Sequence, residues 1–244
     1  MTTKKTQRSE FNSPLQNHIL AALPALDFER LLPDLELVPM PLGFTLSESG
    51  DLTKFMYFPT TCIVSLLYVM SNGSSGEIAV VGNEGMVGIT LFMGGESTLN
   101  RTVVQSAGSA YKLKGSVLQR EFALGGVLQH LSLRYTQALI CQMSQTAVCN
   151  RHHTLDQQLC RWLLLSLDRL EGNQLVMTQE MIANMLGVRR EGVTEAAGIL
   201  QKAGLISYAR GHITVLDRSK LELRVCECYA AVKHEYDRLL PPPV

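Results

Sequence analysis

Arg189-Arg190-Glu191, followed by Thr194 and Glu195, is the stretch of this 244-residue sequence best suited to reading a nucleic-acid surface. Arginine can donate two hydrogen bonds to O6 and N7 of guanine, and glutamate can accept from N4 of cytosine. Such groups work only when one helix presents them together, on its first turn and a half, in a major groove. The preceding residues supply that scaffold. Thr178 can N-cap a helix from Gln179 to Leu186, Gly187 breaks it, and a second helix runs from Arg189 to Ala203, ending at Gly204. Counting Gln179 as position one, Ala183 falls at five, Gly187 at nine and Val193 at fifteen. A small residue allows close helix crossing, glycine takes the left-handed turn, and an aliphatic residue locks the pair. Ile182, Leu186, Val188, Ala196 and Leu200 complete the inner face.

Leu205 to Val215 alternates around Arg210-Gly211, which predicts a hairpin behind the helix-turn-helix, a wing. Arg210 and His212 at its tip would reach phosphates. With Thr178 at the helix start, the candidate DNA-contacting set is Thr178, Arg189, Arg190, Glu191, Thr194, Glu195, Arg210 and His212. Charge pattern alone favours a plainer reading, an amphipathic helical hairpin with a solvated face. The placement of Ala183, Gly187 and Val193, together with the wing, outweighs it. Between Asn173 and Lys220 six basic side chains stand against four acidic ones. Nonspecific affinity is therefore modest, and dimerisation and base contacts must supply much of the binding.

The rest of the chain is read as what positions and controls this unit. Twenty-two basic and 22 acidic residues, 46% hydrophobic content and a single Trp describe a globular protein with room for two domains. Zero net charge excludes a protein that coats nucleic acid or membrane over its whole surface. The polar segment 1–12 reads as a mobile tail rather than a secretory signal, and no run supplies about 20 uninterrupted apolar residues for a membrane span. Six cysteines in such a chain suit reduced thiols and a cytoplasmic location. Leu15 to Leu32 fits one or two short helices broken at Pro24 and stopped by Pro33. Leu35–Met40, Phe55–Phe58, Ile63–Met70, Glu77–Val81 and Thr102–Leu113 predict strands of a sandwich or roll, with turn residues between them. Beyond Lys114 helical periodicity takes over. A long helix is predicted from Val127 to Asn150, with Leu128, Leu131, Tyr135, Ala138, Leu139, Met143 and Ala147 on a broad stripe. One side would rest on the β domain and the other on a second subunit. Residues 149–153 read as a hinge, and Thr154 caps a helix through Leu167.

In the order of these pieces the chain resembles the Crp/Fnr superfamily of bacterial transcription regulators, over nearly its whole length. The matching residues are Phe58-Pro59 before a strand, Gly82-Asn83-Glu84-Gly85-Met86-Val87-Gly88, Arg101-Thr102, and Met177 to Ile206. The resemblance implies an α+β fold: an N-terminal β-roll of the cyclic-nucleotide-binding type (13–122), a dimerisation helix and hinge (123–152) and a C-terminal winged helix-turn-helix (153–244). It also implies a homodimer on a palindromic operator in double-stranded DNA, a small-molecule effector at the β-roll, and RNA polymerase as partner if the protein activates. By position, base contacts fall on Arg190, Glu191 and Glu195, with Arg189 just before them. Glu195 replaces the arginine of the catabolite activator, so the resemblance does not imply the same operator. The effector candidates are Gly88, Ile89, Arg101 and Thr102. In cyclic-nucleotide binders a Gly-Glu pair holds the ribose and Arg-Ser or Arg-Thr the phosphate. Here Ile89 follows Gly88, so a cyclic nucleotide is not expected, and a salt bridge or an exposed strand position is the expected role of Arg101.

Other chemistry has little support. The N-terminal cysteines of oxygen-sensing relatives are missing, since the first cysteine is Cys62. Cys149 with His152 or His153, and Cys226-Glu227-Cys228, are possible metal ligands, but neither group has four-ligand spacing. Adjacent histidines diverge on a helix, and a helix after Asp217 would put Cys226 and Cys228 on different faces. No metal or other cofactor is expected. Without Gly-x-Ser-x-Gly, Walker or HExxH sequences, and without histidines between Leu35 and Leu113, an enzyme is not expected either. The competing function is a ligand-binding or interaction module that keeps the scaffold without operator binding.

Overall fold

Val, Ile and aromatic residues between Glu36 and Lys114 form seven strands that divide between two antiparallel sheets. β1 (Glu36–Met40), β7 (Gly108–Lys114) and β3 (Phe55–Pro59) make one, in that order. β2 (Thr45–Ser47), β6 (Asn100–Ser106), β4 (Ile63–Val69) and β5 (Ser75–Val81) make the other. Met56, Phe58, Ile63, Val64, Val104 and Leu113 are completely or almost completely buried between them. The run expected as one strand over Thr102–Leu113 is two, because the chain passes from one sheet to the other at Ala107. β2 was not foreseen; three residues are too few for alternation to register.

The computed structural model describes residues 13–240, so the expected tail at 1–12 lies outside the described residues. Two short helices, α1 (His18–Ala21) and α2 (Ala25–Leu31), precede the sheets, with Pro24 at the N-cap of the second. Asn17, fully buried, ties them down. Its Nδ2 donates to the carbonyls of Pro59 and Gly85 at 2.9 and 2.8 Å, while Oδ1 caps α1. A turn of helix, α3 (Thr90–Met93), interrupts the roll, and α4 (Gly115–Ala123) closes it.

The long helix α5 runs Val127–His152, 26 residues. Its inner face carries Leu128, Leu131, Tyr135, Ala138 and Leu139, as the spacing predicts, and also the polar Gln142 and Thr146. Gly85 is required where the 82–85 loop meets this helix: a Cβ there would lie 2.3 Å from Tyr135 Cε2. The segment 149–152, expected as a hinge, is the last turn of the helix. The chain turns only at His153, because the capping box of Thr154 and Gln157 starts α6 (Leu155–Leu167) immediately afterwards. The C-terminal unit then adds β8 (Gln174–Val176), α7 (Gln179–Leu186), α8 (Arg190–Lys202), β9 (Ile206–Ala209), β10 (His212–Val215), α9 (Arg218–Arg224) and α10 (Glu227–Leu239).

Several ties bind this unit to the β-roll. Arg169 Nε donates to Glu84 Oε1 at 2.7 Å in a largely buried ion pair. Gln105 Nε2 donates to Ser166 Oγ at 3.0 Å, and Ser75 Oγ donates to the Asn184 carbonyl at 3.3 Å. Among the described residues no helix is long and apolar enough to cross a membrane.

Candidate nucleic-acid interface

Thr178 caps α7 by accepting from the Met181 amide at 3.2 Å. Gly187 ends the helix at φ 67°, a conformation that costs a side-chain-bearing residue roughly 1–2 kcal/mol. Arg189 is extended and serves as N-cap of α8, so the helix begins one residue later than the sequence suggests. The two helices close over Ile182, Ala183, Met185, Leu186, Val193, Ala196, Ala197 and Leu200, all buried. Against α6, Gly192 permits a close approach; a Cβ there would lie 2.8 Å from Leu155 Cδ2.

That packing leaves the opposite face open. Arg189, Arg190, Glu191, Thr194 and Glu195 are exposed, as are Thr178, Arg210 and His212. The Thr194 hydroxyl lies 2.8 Å from Gln179 Oε1 and 3.0 Å from the Arg190 carbonyl, so it braces α8 against the start of α7. β9 and β10 pair from Ile206–Val215 to Ala209–His212, joined by Arg210 and Gly211 at φ 51° and 79°. Positive φ at both central residues suits the twist of a two-residue hairpin.

Thr178, Arg190 and Arg210 line one shallow groove between helix and wing. Tyr208, which sequence reasoning passed over, lines it too. Its hydroxyl donates to the Met177 carbonyl at 2.8 Å, and burial pushes its pKa up to about 12. A lone Tyr in a four-residue strand carries no signal of that role. β8 was missed for the same shortness; it extends the wing sheet by pairing Val176 with His212.

Ion pairing distinguishes the arginines of this surface from most others. Arg30, Arg101, Arg169, Arg218, Arg224 and Arg238 each hold a carboxylate. Among the described residues no ion pair engages Arg189, Arg190 or Arg210.

The effector candidates are divided. Gly88, Ile89 and Thr102 line a cavity of about 600 Å³ in the roll, together with Leu52, Phe55, Met86 and two side chains of the long helix, Leu139 and Met143. Arg101 does not line it. Successive residues of a strand face opposite sides, so beside inward Thr102 it points away, 3.3 Å from Glu48 Oε1 and 3.2 Å from Thr45 Oγ1. The pair Arg101-Thr102 is therefore no phosphate clamp; only Lys54 brings a cationic side chain to the cavity.

Residues 157–224 match the Crp-like helix-turn-helix domain family. Solved structures with the same fold include FixK2 from Bradyrhizobium japonicum, at 15% identity and TM-score 0.65, covering 79% of this chain and 98% of that one. A CRP-family transcriptional regulator from Thermus thermophilus matches at 16% identity and TM-score 0.64, over 77% and 95% of the two chains. The chain therefore carries a Crp-like helix-turn-helix domain at 157–224 and shares the fold of these regulators over most of its length. The c-di-GMP responsive global regulator CLP of Xanthomonas campestris is also similar, at 16% identity and TM-score 0.61, covering 80% of this chain and all of that one. No curated protein sequence matches. The Crp/Fnr-type architecture accounts for the β-roll, the long helix and the C-terminal helix-turn-helix in one arrangement.

Proposed function

We propose that this Crp/Fnr-type chain is a sequence-specific, DNA-binding transcription regulator that acts as a homodimer on a palindromic operator. The observation that carries the reading is that Arg190 and Arg210, exposed and in no ion pair among the described residues, line one groove between helix and wing, with Arg189 exposed at the start of the same helix. Exposed arginines without carboxylate partners suit a polyanion. Arg190 and Glu191 read base edges, Arg210 and His212 hold phosphates, and Thr178 and Thr194 set the helix angle. The division into a roll at 13–122, a dimer helix at 123–152 and a DNA-binding unit from 153 belongs to this reading, as does a cytoplasmic location. The protein is a regulator and not an enzyme.

Dimerisation is supported by the outer stripe of α5. Leu133, Ile140 and Val148 are 53%, 56% and 49% exposed at near-heptad spacing, a row a second long helix would cover. Control is allosteric. A ligand in the roll touches Leu139 and Met143 directly, so its binding biases the helix that sets whether two α8 helices stand one DNA turn apart, about 34 Å. The cavity has no arginine to clamp a phosphate, which disfavours a cyclic nucleotide, and its lining mixes apolar side chains with polar ones such as Asp51, Lys54, Asn100 and Thr102.

Selection from random duplex DNA tests the reading. A palindromic consensus with half-sites one helical turn apart is the expected result. The absence of any enrichment would instead leave a ligand-binding or interaction module on this scaffold.

A further inference from the structure

The end of the long helix brings together four side chains that neither the DNA face nor the roll cavity uses. Cys149 lies in the last turn of α5 and His153 is its C-cap residue. Cys226 is the N-cap of α10, and Cys228 sits in its first turn. The helix expected to run on past Asp217 stops at Arg224, so Cys226 and Cys228 turn to the same side instead of opposite faces. One ligand atom from each of the four residues lies within 4.8 Å of all the others. Cys149 Sγ is 3.6 Å from Cys226 Sγ, and Cys228 Sγ is 3.6 Å from His153 Nδ1. A tetrahedron built on Zn–S bonds of about 2.3 Å and Zn–N bonds of about 2.0–2.1 Å has S···S edges of about 3.8 Å and S···N edges of about 3.6 Å. The S···N edge already has that length, and the S···S edge is within 0.2 Å of it.

We propose that Cys149, His153, Cys226 and Cys228 form a structural zinc site that clamps the end of the long helix to the C-terminal helix. The donor set selects the metal: three thiolates and one imidazole at this spacing suit a single tetrahedral zinc ion, too tightly grouped to surround a multi-iron cluster. Four protein ligands leave no open position, so the site is structural rather than catalytic.

The surroundings fit the same assignment. His153 Nε2 lies 3.3 Å from Glu227 Oε2, the carboxylate partner that fixes the tautomer and leaves Nδ1 for a metal. Gln158 Nε2 donates to the His153 carbonyl at 2.9 Å and holds the backbone of the corner. Zinc with three thiolates and a neutral imidazole carries one net negative charge. Arg161, only 4% exposed, lies within electrostatic reach of Cys149; its guanidinium bonds Thr146 at 3.1 Å and its Nε has no partner. A buried cation beside this cluster offsets that charge. The clamp would fix the joint through which α5 transmits the state of the roll to α8.

The test reads metal rather than DNA, so its outcome is separate from that of operator binding. The full chain, purified in reductant without added metal, is expected to hold a single zinc per protomer by mass spectrometry of elements. Its cobalt-substituted form should show thiolate-to-cobalt charge transfer and the intense d–d bands of tetrahedral Co²⁺. Cys228→Ser and His153→Ala should lose the zinc, and Cys62→Ser and Cys141→Ser should keep it. Glu227→Gln should weaken it about 10-fold, the low end for a carboxylate behind a ligand. The cobalt spectrum of the unaltered chain decides the matter if the ligand variants fail to fold. A wild-type chain that takes up no zinc on titration, a cobalt spectrum without thiolate charge transfer, or a zinc-free chain carrying a Cys149–Cys226 disulfide would each overturn the proposal.

Discussion

The side-chain amide of Gln142 pairs with both backbone groups of Val80. Gln142 Oε1 accepts from the Val80 amide at 2.7 Å, and Nε2 donates to its carbonyl at 3.2 Å and to the Tyr236 hydroxyl at 2.9 Å. β5 is an edge strand, so this amide does for one residue what a neighbouring strand would do, and it locks α5 to both the roll and α10. Gln142→Leu keeps the volume and removes every partner. Leaving buried backbone groups unmade should cost about 2–4 kcal/mol in urea unfolding. An effect within about 0.5 kcal/mol, the range of ordinary surface substitutions, would show that the tie contributes little.

Glu77 should make stability depend on pH. Burial pushes its pKa up to about 7, although Ser65, Arg161 and Arg169 pull the other way. The hydrogen-bond pattern agrees: Ser65 Oγ lies 2.6 Å from both Glu77 Oε2 and Gln105 Oε1, and one hydroxyl hydrogen cannot serve both. A protonated Glu77 donates to Ser65, which then donates to Gln105. The folded state thus binds a proton that the unfolded state releases above its ordinary value of about 4.5. The stabilisation is complete below that value and is lost as pH rises through about 7. Relative to Glu77→Gln, the wild type should lose on the order of 2–3 kcal/mol between pH 4.5 and 8, measured by denaturant titration at each pH. Parallel pH profiles for the two proteins would refute the assignment.

On DNA, Arg190→Ala should cost about 1–3 kcal/mol at the selected operator and relax the preference at one base pair. Arg210→Ala should weaken all sequences alike and reduce the salt slope by about 1. Arg189, extended and ahead of the first helical turn, should matter far less than Arg190; the reverse order would count against the assigned face.

If the outer stripe of α5 is the proposed dimer interface, Ile140→Glu or Leu133→Glu should give a folded monomer by light scattering and abolish operator binding with little change in thermal stability of the protomer. A variant that stays dimeric would place the interface elsewhere.

The helix-turn-helix was legible from sequence because its determinants are local. Thr178 caps the residues beside it, Gly187 answers a backbone conformation of its own, and Val193 follows from helical spacing. The order of roll, long helix and wing followed from changes of periodicity. Short elements escaped: β2, β8 and α3 hold three or four residues, too few for either periodicity to repeat.

Sequence alone determined roughly where the longer helices and strands lie, which face of α8 carries charge, and that the residue after Gly88 is Ile89 and not an acid. Only the tertiary structure decided what distant residues do to one another. It turned Arg101 onto Glu48 instead of the cavity, set Gln142 on Val80, and joined Cys149 to Cys226 across the end of α5. The reason is physical: caps and turns act within a few residues, whereas these meetings depend on how helices pack on sheets, and spacing along the chain does not record that.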